Sequence, residues 1–258
     1  MSVTDEQRSD FETRGWFHLG SVFSGDELLE IAREYDRIIA QPLRIGEQGK
    51  RPFEYSALLH VQSEIMRRYA THPGLVQVAV DLLGPEVRLY WDQAVSKPAG
   101  ATSDVPWHQD NGYTPVEPEE YVTFTVAIDE TSEQNGCLWI QPGSHLSGIQ
   151  PHRPTDMIFF RGYEGPDKGV AAPQSRGDVM AFSSLTMHRS GANTSDGPRR
   201  SWIIQYCHGD AHHKLTKVPF DDRLLCARDG VPLDEPERDR PLDLSVFAEA
   251  AKWAKASQ

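Results

Sequence analysis

At residue 87 the texture of the chain changes, and that change constrains the fold more than any other feature. Short β-prone runs follow at 87–95, 121–128, 137–140, 179–182 and 201–207, punctuated by Gly, Pro, Asn and Asp. Many short strands with turn residues between them build an all-β sandwich or barrel. Before residue 87 the pattern is helical. Thr4 to Gln7 and Ser24 to Glu27 each match a capping box, and the second leads into Leu28, Ile31, Tyr35, Ile38 and Ile39 at helical spacing. A strand is expected between these helices at 15–23, and a further helix at 75–83 between Pro73-Gly74 and Gly84-Pro85. Residues 178–187 and 202–206 read as two strands joined by a polar turn at 190–198. The expected organisation is one domain over 1–258, helical to about 86, β-rich from about 87 to 210, and extended by about 211–258 with a closing helix near 244–255.

Composition excludes several classes. The chain has 258 residues, 38% of them hydrophobic and 25% charged, which is the balance of a globular protein. With 26 Lys and Arg against 38 Asp and Glu, the formal charge is −12 and would repel a phosphate backbone, so no nucleic-acid partner is expected. Residues 1–10 are polar with no apolar signal core, and no run is long enough to span a membrane, so a cytoplasmic location and no membrane partner are expected. Cys137, Cys207 and Cys226 are isolated thiols without CxxC spacing, which fits a reducing compartment.

Ten histidines raise the question of a metal site. Two His-x-Asp tripeptides occur, His108-Gln109-Asp110 and His208-Gly209-Asp210, and in an extended segment residues i and i+2 share a face. Chance alone gives about one such tripeptide at ordinary residue usage, so the motif needs a third ligand. His188, beyond the strand at 179–182, supplies one: two histidines and a carboxylate form the facial triad of non-haem Fe(II) oxygenases. His208, Asp210, His212 and His213 make a competing cluster in the extension.

Taken in order, His108-Gln109-Asp110, Asn135-Gly136-Cys137-Leu138, Pro142-Gly143-Ser144-His145, Gly177-Asp178, and His188 with Ser190, Asn193 and Arg199 resemble the phytanoyl-CoA dioxygenase family. That family is a branch of the Fe(II)- and 2-oxoglutarate-dependent oxygenases, and the resemblance runs from about 11 to 207. It implies an all-β core with helices, namely a double-stranded β-helix (jelly-roll, cupin-like) with an N-terminal helical cap. It also implies His108, Asp110 and His188 as iron ligands, and Arg199, eleven residues beyond His188, as partner of the distal 2-oxoglutarate carboxylate. A guanidinium suits that task as a planar bidentate donor that stays charged, and strand alternation allows only one of Arg199 and Arg200 to face inward.

Ser190, Thr125 and Gln93 fall at positions resembling further co-substrate contacts, and Trp107, Tyr113 and Phe160 are candidate substrate contacts, with Trp91 and Phe159 as further pocket candidates. Each aromatic residue also has a plain reading as core. His145 and the glycines Gly136 and Gly143 read as turn and backbone residues. The long segment 150–175 and residues 53–60 are expected to carry selectivity, with Arg153, Arg161 and Lys168 as possible anion contacts.

The activity implied by the resemblance consumes Fe(II), 2-oxoglutarate and O2, yields succinate and carbon dioxide, and oxidises a substrate C–H bond. Because Asp110 stands where related halogenases carry a small residue, hydroxylation, desaturation or cyclisation is expected rather than halogenation. At −12 without an evident basic patch, the chain is a poor host for an acyl-CoA, so a small organic metabolite is expected as substrate, acted on by a monomer or homodimer. The competing class is a non-redox cupin-like metal- or ligand-binding protein. A zinc isomerase or hydrolase has no feature in its favour.

Overall fold

The computed structural model describes residues 1–43, 53–155, 157, 159–166 and 169–245. The N-terminal part runs α1 (Asp5–Arg14), β1 (Trp16–Ser21), α2 (Gly25–Ile39), β2 (Glu54–Ala57), α3 (Leu59–Gln62), α4 (Glu64–Ala70) and α5 (Pro73–Leu83). Both capping boxes form, Thr4 with Gln7 and Ser24 with Glu27, and satisfy N–H groups that a first helical turn leaves unpaired. Gly15 ends α1 at φ +82, and a Cβ there would lie 2.4 Å from Thr186 Oγ1. Only glycine meets both demands. In α2 the stripe Leu28, Ile31, Ala32, Tyr35 and Ile38 is buried. A helix of this length is marginal in water, whereas burying a large apolar side chain contributes about 1.5–3 kcal/mol, so α2 is held by packing.

The strands β3 (Val87–Lys97), β4 (Val105–His108), β5 (Val116–Glu117), β6 (Val122–Ala127), β7 (Leu138–Ile140), β8 (Arg153–Pro154), β9 (Phe160–Arg161) and β10 (Val170–Ala172) follow. The series ends with β11 (Asp178–Ser183), β12 (His188–Ser190), β13 (Arg199–His208), β14 (His212–His213), β15 (Leu224–Arg228) and β16 (Val231–Glu237). A large antiparallel sheet has the order β1-β11-β6-β13-β3-β15-β16, with β2 also paired to β3. A smaller antiparallel sheet has the order β10-β7-β12-β4.

Alternation sorts the large sheet into two faces. Phe124, Val126, Val179, Ala181, Trp202, Ile204 and Tyr206 share one buried cluster with the helix residues Phe11, Ile31, Tyr35 and Leu75. Met180 and Phe182 instead join Trp16, Ile140 and Ala172, which closes the space between the two sheets. The result is a jelly-roll core with a helical layer over the outer face of its larger sheet.

Several local features differ from the expectations or add to them. The strands at 178–183 and 199–208 do not pair with each other, because β6 lies between them and the chain crosses to the smaller sheet at β12 on the way. Residues 59–70 form the short helices α3 and α4, and residues 54–57 form a strand paired with β3. The extension adds β15 and β16 to the large sheet, where the buried Arg88 guanidinium donates to the carbonyls of Gly209 at 2.8 Å and Arg223 at 3.0 Å and to Asp239 Oδ2 at 2.5 Å. The helix expected near 244–255 and Lys168 lie outside the described residues.

Candidate active site

His108 is the last residue of β4 and His188 the first of β12, and the two are register partners across the smaller sheet. Their rings lie 4.2 Å apart, and the His188 ring packs 4.6 Å from Phe182. Asp110 follows β4 by opening a single 3-10 turn, Asp110–Gly112, so the tripeptide is a strand end bending inward rather than a fully extended segment. His188 Nε2 stands 3.5 Å and His108 Nε2 3.8 Å from Asp110 Oδ1. One ligand atom from each residue lies within 4.8 Å of the others, and no further such group of three forms among the described residues.

The protonation pattern follows from the bonds. His108 Nδ1 faces the Pro106 carbonyl at 2.8 Å and His188 Nδ1 faces the Thr186 carbonyl at 2.9 Å. A carbonyl only accepts, so each Nδ1 carries a proton and each Nε2 is the ring atom turned toward Asp110. Burial, reinforced by the neighbouring His188, holds His108 well below the usual imidazole pKa and keeps it neutral. Asp110 Oδ2 accepts from Thr123 Oγ1 at 2.7 Å and Gln205 Nε2 at 3.0 Å, leaving Oδ1 on the side of the imidazoles. Two inward-turned imidazole nitrogens and an oriented carboxylate suit a divalent transition metal with open positions.

A second feature lies at the far end of β13. Arg199 is 4% exposed. Its Nη1 donates to Ser201 Oγ at 2.9 Å and its Nη2 to the Gly136 carbonyl at 2.8 Å, while the buried Nε has no partner. It forms no ion pair with a carboxylate among the described residues, and burial lowers its pKa. A buried guanidinium without a counter-charge is the chemistry of a carboxylate-binding site. Arg200 points to the opposite face, where Asp129 receives it bidentately at 2.9 and 2.7 Å and Asp36 at 2.8 Å. Alternation along β13 separates the two arginines.

The other candidates divide. Ser190 follows His188 by two residues and is buried. Gln93 accepts from Trp91 Nε1 at 2.8 Å, so its NH2 is the end that could meet a carboxylate. Thr125 is less suited: its hydroxyl donates to Gln174 Oε1 at 3.0 Å, an orientation fixed because Gln174 Nε2 donates to the carbonyls of Thr125 and Asp178. Its proton is already committed. Tyr113 stands edge-on to His108 at 5.4 Å and to Phe160 at 5.2 Å, and accepts from the Phe160 N–H at 3.3 Å. Phe159 packs on Phe53 at 5.6 Å. Trp107 is misplaced as a substrate contact: it precedes the inward His108 on a strand, so it faces outward, with the Arg189 guanidinium 5.3 Å over its ring.

The competing histidines do not converge: His212 Nε2 pairs with Glu117 Oε2 at 3.1 Å, and His213 Nδ1 accepts from the Thr216 N–H. His145 ties its turn to α1 through the Glu12 carbonyl at 3.2 Å.

Comparison with known proteins agrees with this geometry. Peroxisomal phytanoyl-CoA dioxygenase of Bos taurus is 26% identical over 234 residues, covering 81% of this chain and 69% of that protein. Ectoine dioxygenase of Bordetella parapertussis is 26% identical over 232 residues, covering 80% and 75%. Among solved structures, the epimerase SnoN in complex with Fe3+, alpha ketoglutarate and nogalamycin RO superposes with a TM-score of 0.71 at 25% identity, over 93% of this chain and 95% of that one. The sequence profile of Phytanoyl-CoA dioxygenase (PhyH) matches residues 11–201, a span that holds the histidine–aspartate cluster and Arg199 together, and the chain therefore belongs to that family.

Proposed function

We propose that His108, Asp110 and His188 hold the iron of a non-haem Fe(II)- and 2-oxoglutarate-dependent oxygenase, and that this enzyme hydroxylates a C–H bond of a small organic metabolite. The observation that carries the residue assignment is the convergence of two imidazole Nε2 atoms on Asp110 Oδ1. Bound iron and 2-oxoglutarate supply oxidation by O2, with decarboxylation to succinate, at one substrate carbon.

The chain's own residues aim and insulate that chemistry. Thr123 and Gln205 fix Asp110 so that one oxygen faces the metal position. Arg199 pairs with the distal carboxylate of 2-oxoglutarate, and Ser190 and Gln93 are the supporting polar groups. Tyr113 and Phe160, with Phe159 and Phe53 beside them, form an apolar wall that excludes water and receives substrate. A carboxylate at Asp110 favours oxygenation over halogenation. Desaturation, ring closure or epimerisation begin with the same hydrogen removal, and SnoN is an epimerase, so a substrate screen should look for products without added oxygen too.

The charge of −12 supports a partner set without nucleic acid and a substrate smaller than an acyl-CoA. Among the described residues no helix is long and apolar enough to cross a membrane. A cytoplasmic monomer or homodimer completes the proposal.

The test is anaerobic addition of Fe(II) and 2-oxoglutarate to the apoprotein. A weak visible charge-transfer band, succinate on admission of air, and loss of both in His188→Ala are expected. Iron binding with neither band nor succinate would replace this reading with a non-redox cupin-like binding protein.

A further inference from the structure

Lys97 is a second buried cation beside Arg199. The two are register partners across β3 and β13, and directly opposed residues in an antiparallel pair project to the same face. Lys97 has no exposed surface. Its ammonium donates to the Ser190 carbonyl at 3.2 Å and to the Gly191 carbonyl, and its own carbonyl accepts from Asn193 Nδ2 at 3.0 Å. Gly191 lies against Gly136, whose carbonyl receives Arg199: a Cβ on Gly136 would meet the Gly191 oxygen at 2.4 Å. Both cations thus converge on one backbone crossing, and neither forms an ion pair with a carboxylate among the described residues.

Carbonyl dipoles alone offset little of the cost of burying an ammonium next to a guanidinium. An amide side chain could donate to the same two carbonyls at lower cost, so the charge itself requires a reason. We propose that Lys97 and Arg199 together form the recognition site for the distal carboxylate of the co-substrate, with Lys97 setting the preference for a dicarboxylic 2-oxo acid over a monocarboxylic one. The inference rests on the co-substrate reading given above, and it adds a specificity-determining residue on a different strand. Burial lowers the Lys97 pKa to about 7, and a bound carboxylate would restore the charged form.

The experiment titrates the Fe(II)-loaded enzyme anaerobically with 2-oxoglutarate and with 2-oxopentanoate, which keeps the chelating head and lacks the distal carboxylate. Lys97→Gln retains a donor for the Ser190 and Gly191 carbonyls while removing the charge, and Lys97→Arg retains the charge. Lys97→Gln should weaken 2-oxoglutarate by roughly tenfold or more, the size of one charge-assisted hydrogen bond, with 2-oxopentanoate within about twofold of wild type. Lys97→Arg should keep most of the discrimination. Equal weakening of both ligands, or of neither, in a folded Lys97→Gln would reduce Lys97 to a backbone tie. If Lys97→Gln does not fold, discrimination lost in Lys97→Arg with its charge intact would equally overturn the proposal. Arg199→Met serves as reference: if it too leaves the discrimination unchanged, the co-substrate assignment of this pocket fails rather than the role of Lys97.

Discussion

The backbone N–H of Gln109 donates to His152 Nε2 at 2.9 Å, so the residue between two proposed iron ligands is held by a histidine from a separate segment. His152 Nδ1 faces the Gln150 carbonyl at 2.7 Å, which fixes the lone pair on Nε2. Gln109 has no exposed surface; its amide donates to the carbonyls of Gly148 at 2.9 Å and Leu185 at 2.6 Å and accepts from the Gln150 N–H at 2.7 Å. Removing His152 leaves an N–H unpaired beside Asp110. His152→Ala should weaken Fe(II) binding by about tenfold, as loss of an outer-shell partner does. An anaerobic iron titration that matches wild type would dismiss the role.

Glycines flank the same ring. A Cβ on Gly112 would lie 2.4 Å from His152 Nε2, and one on Gly162 would lie 2.7 Å away. Gly112→Ala should therefore displace the imidazole and reproduce the His152→Ala phenotype. The double variant should be no worse than either single one, because both remove one interaction. Additive losses in iron affinity would separate the two effects.

Gln205 and Thr123 both donate to Asp110 Oδ2. Gln205→Leu should cost about 10–100-fold in Fe(II) affinity through misorientation of the carboxylate, with the thermal midpoint nearly unchanged. A normal iron affinity would show that Thr123 suffices.

Lys97 gives a pH signature. An unfolded lysine titrates near ~10.4, whereas the folded group is lowered to about 7 by burial and by Arg199, with Arg189 adding to the repulsion and Asp104 opposing it. Between these values the unfolded chain binds more protons, so ligand-free stability should rise with pH across roughly 7 to 10, with a slope of up to about 1.4 kcal/mol per pH unit. Burial pushes the Cys137 thiol up as well, so the measurement is the difference between wild type and Lys97→Met in denaturant midpoints. Parallel curves would mean that Lys97 remains charged in the folded protein.

The legible part of this protein was whatever the chain writes locally or in fixed order. Capping boxes and the spacing of Leu28, Ile31, Tyr35 and Ile38 placed α1 and α2, and ordered motifs singled out His108, Asp110 and His188, which the fold brings into one cluster. The strands of the smaller sheet span only three or four residues, too few to show a period of two, so β4 and β12 left no signal of their own. Thr123 and Gln205 were missed because only strand pairing brings Gln205, 95 residues away, to Asp110. Trp107 is turned outward by its place beside an inward ligand on β4, and its stacking under Arg189 shows that face. Thr125 gave no local signal, since its commitment to Gln174 depends on a contact across 49 residues.

The described residues of segment 148–162 join neither the large sheet nor the smaller one and carry only the short β8–β9 pairing, yet they reach the metal loop at Gln109, Trp107 and Tyr113. With selectivity proposed for this segment, reactivity and selectivity become separable inheritances of one chain. A descendant could exchange this stretch wholesale to accept a new molecule, provided an acceptor survives at 152 and glycine at 112 and 162. A graft that respects those three positions should carry its donor's selectivity onto an unchanged iron site.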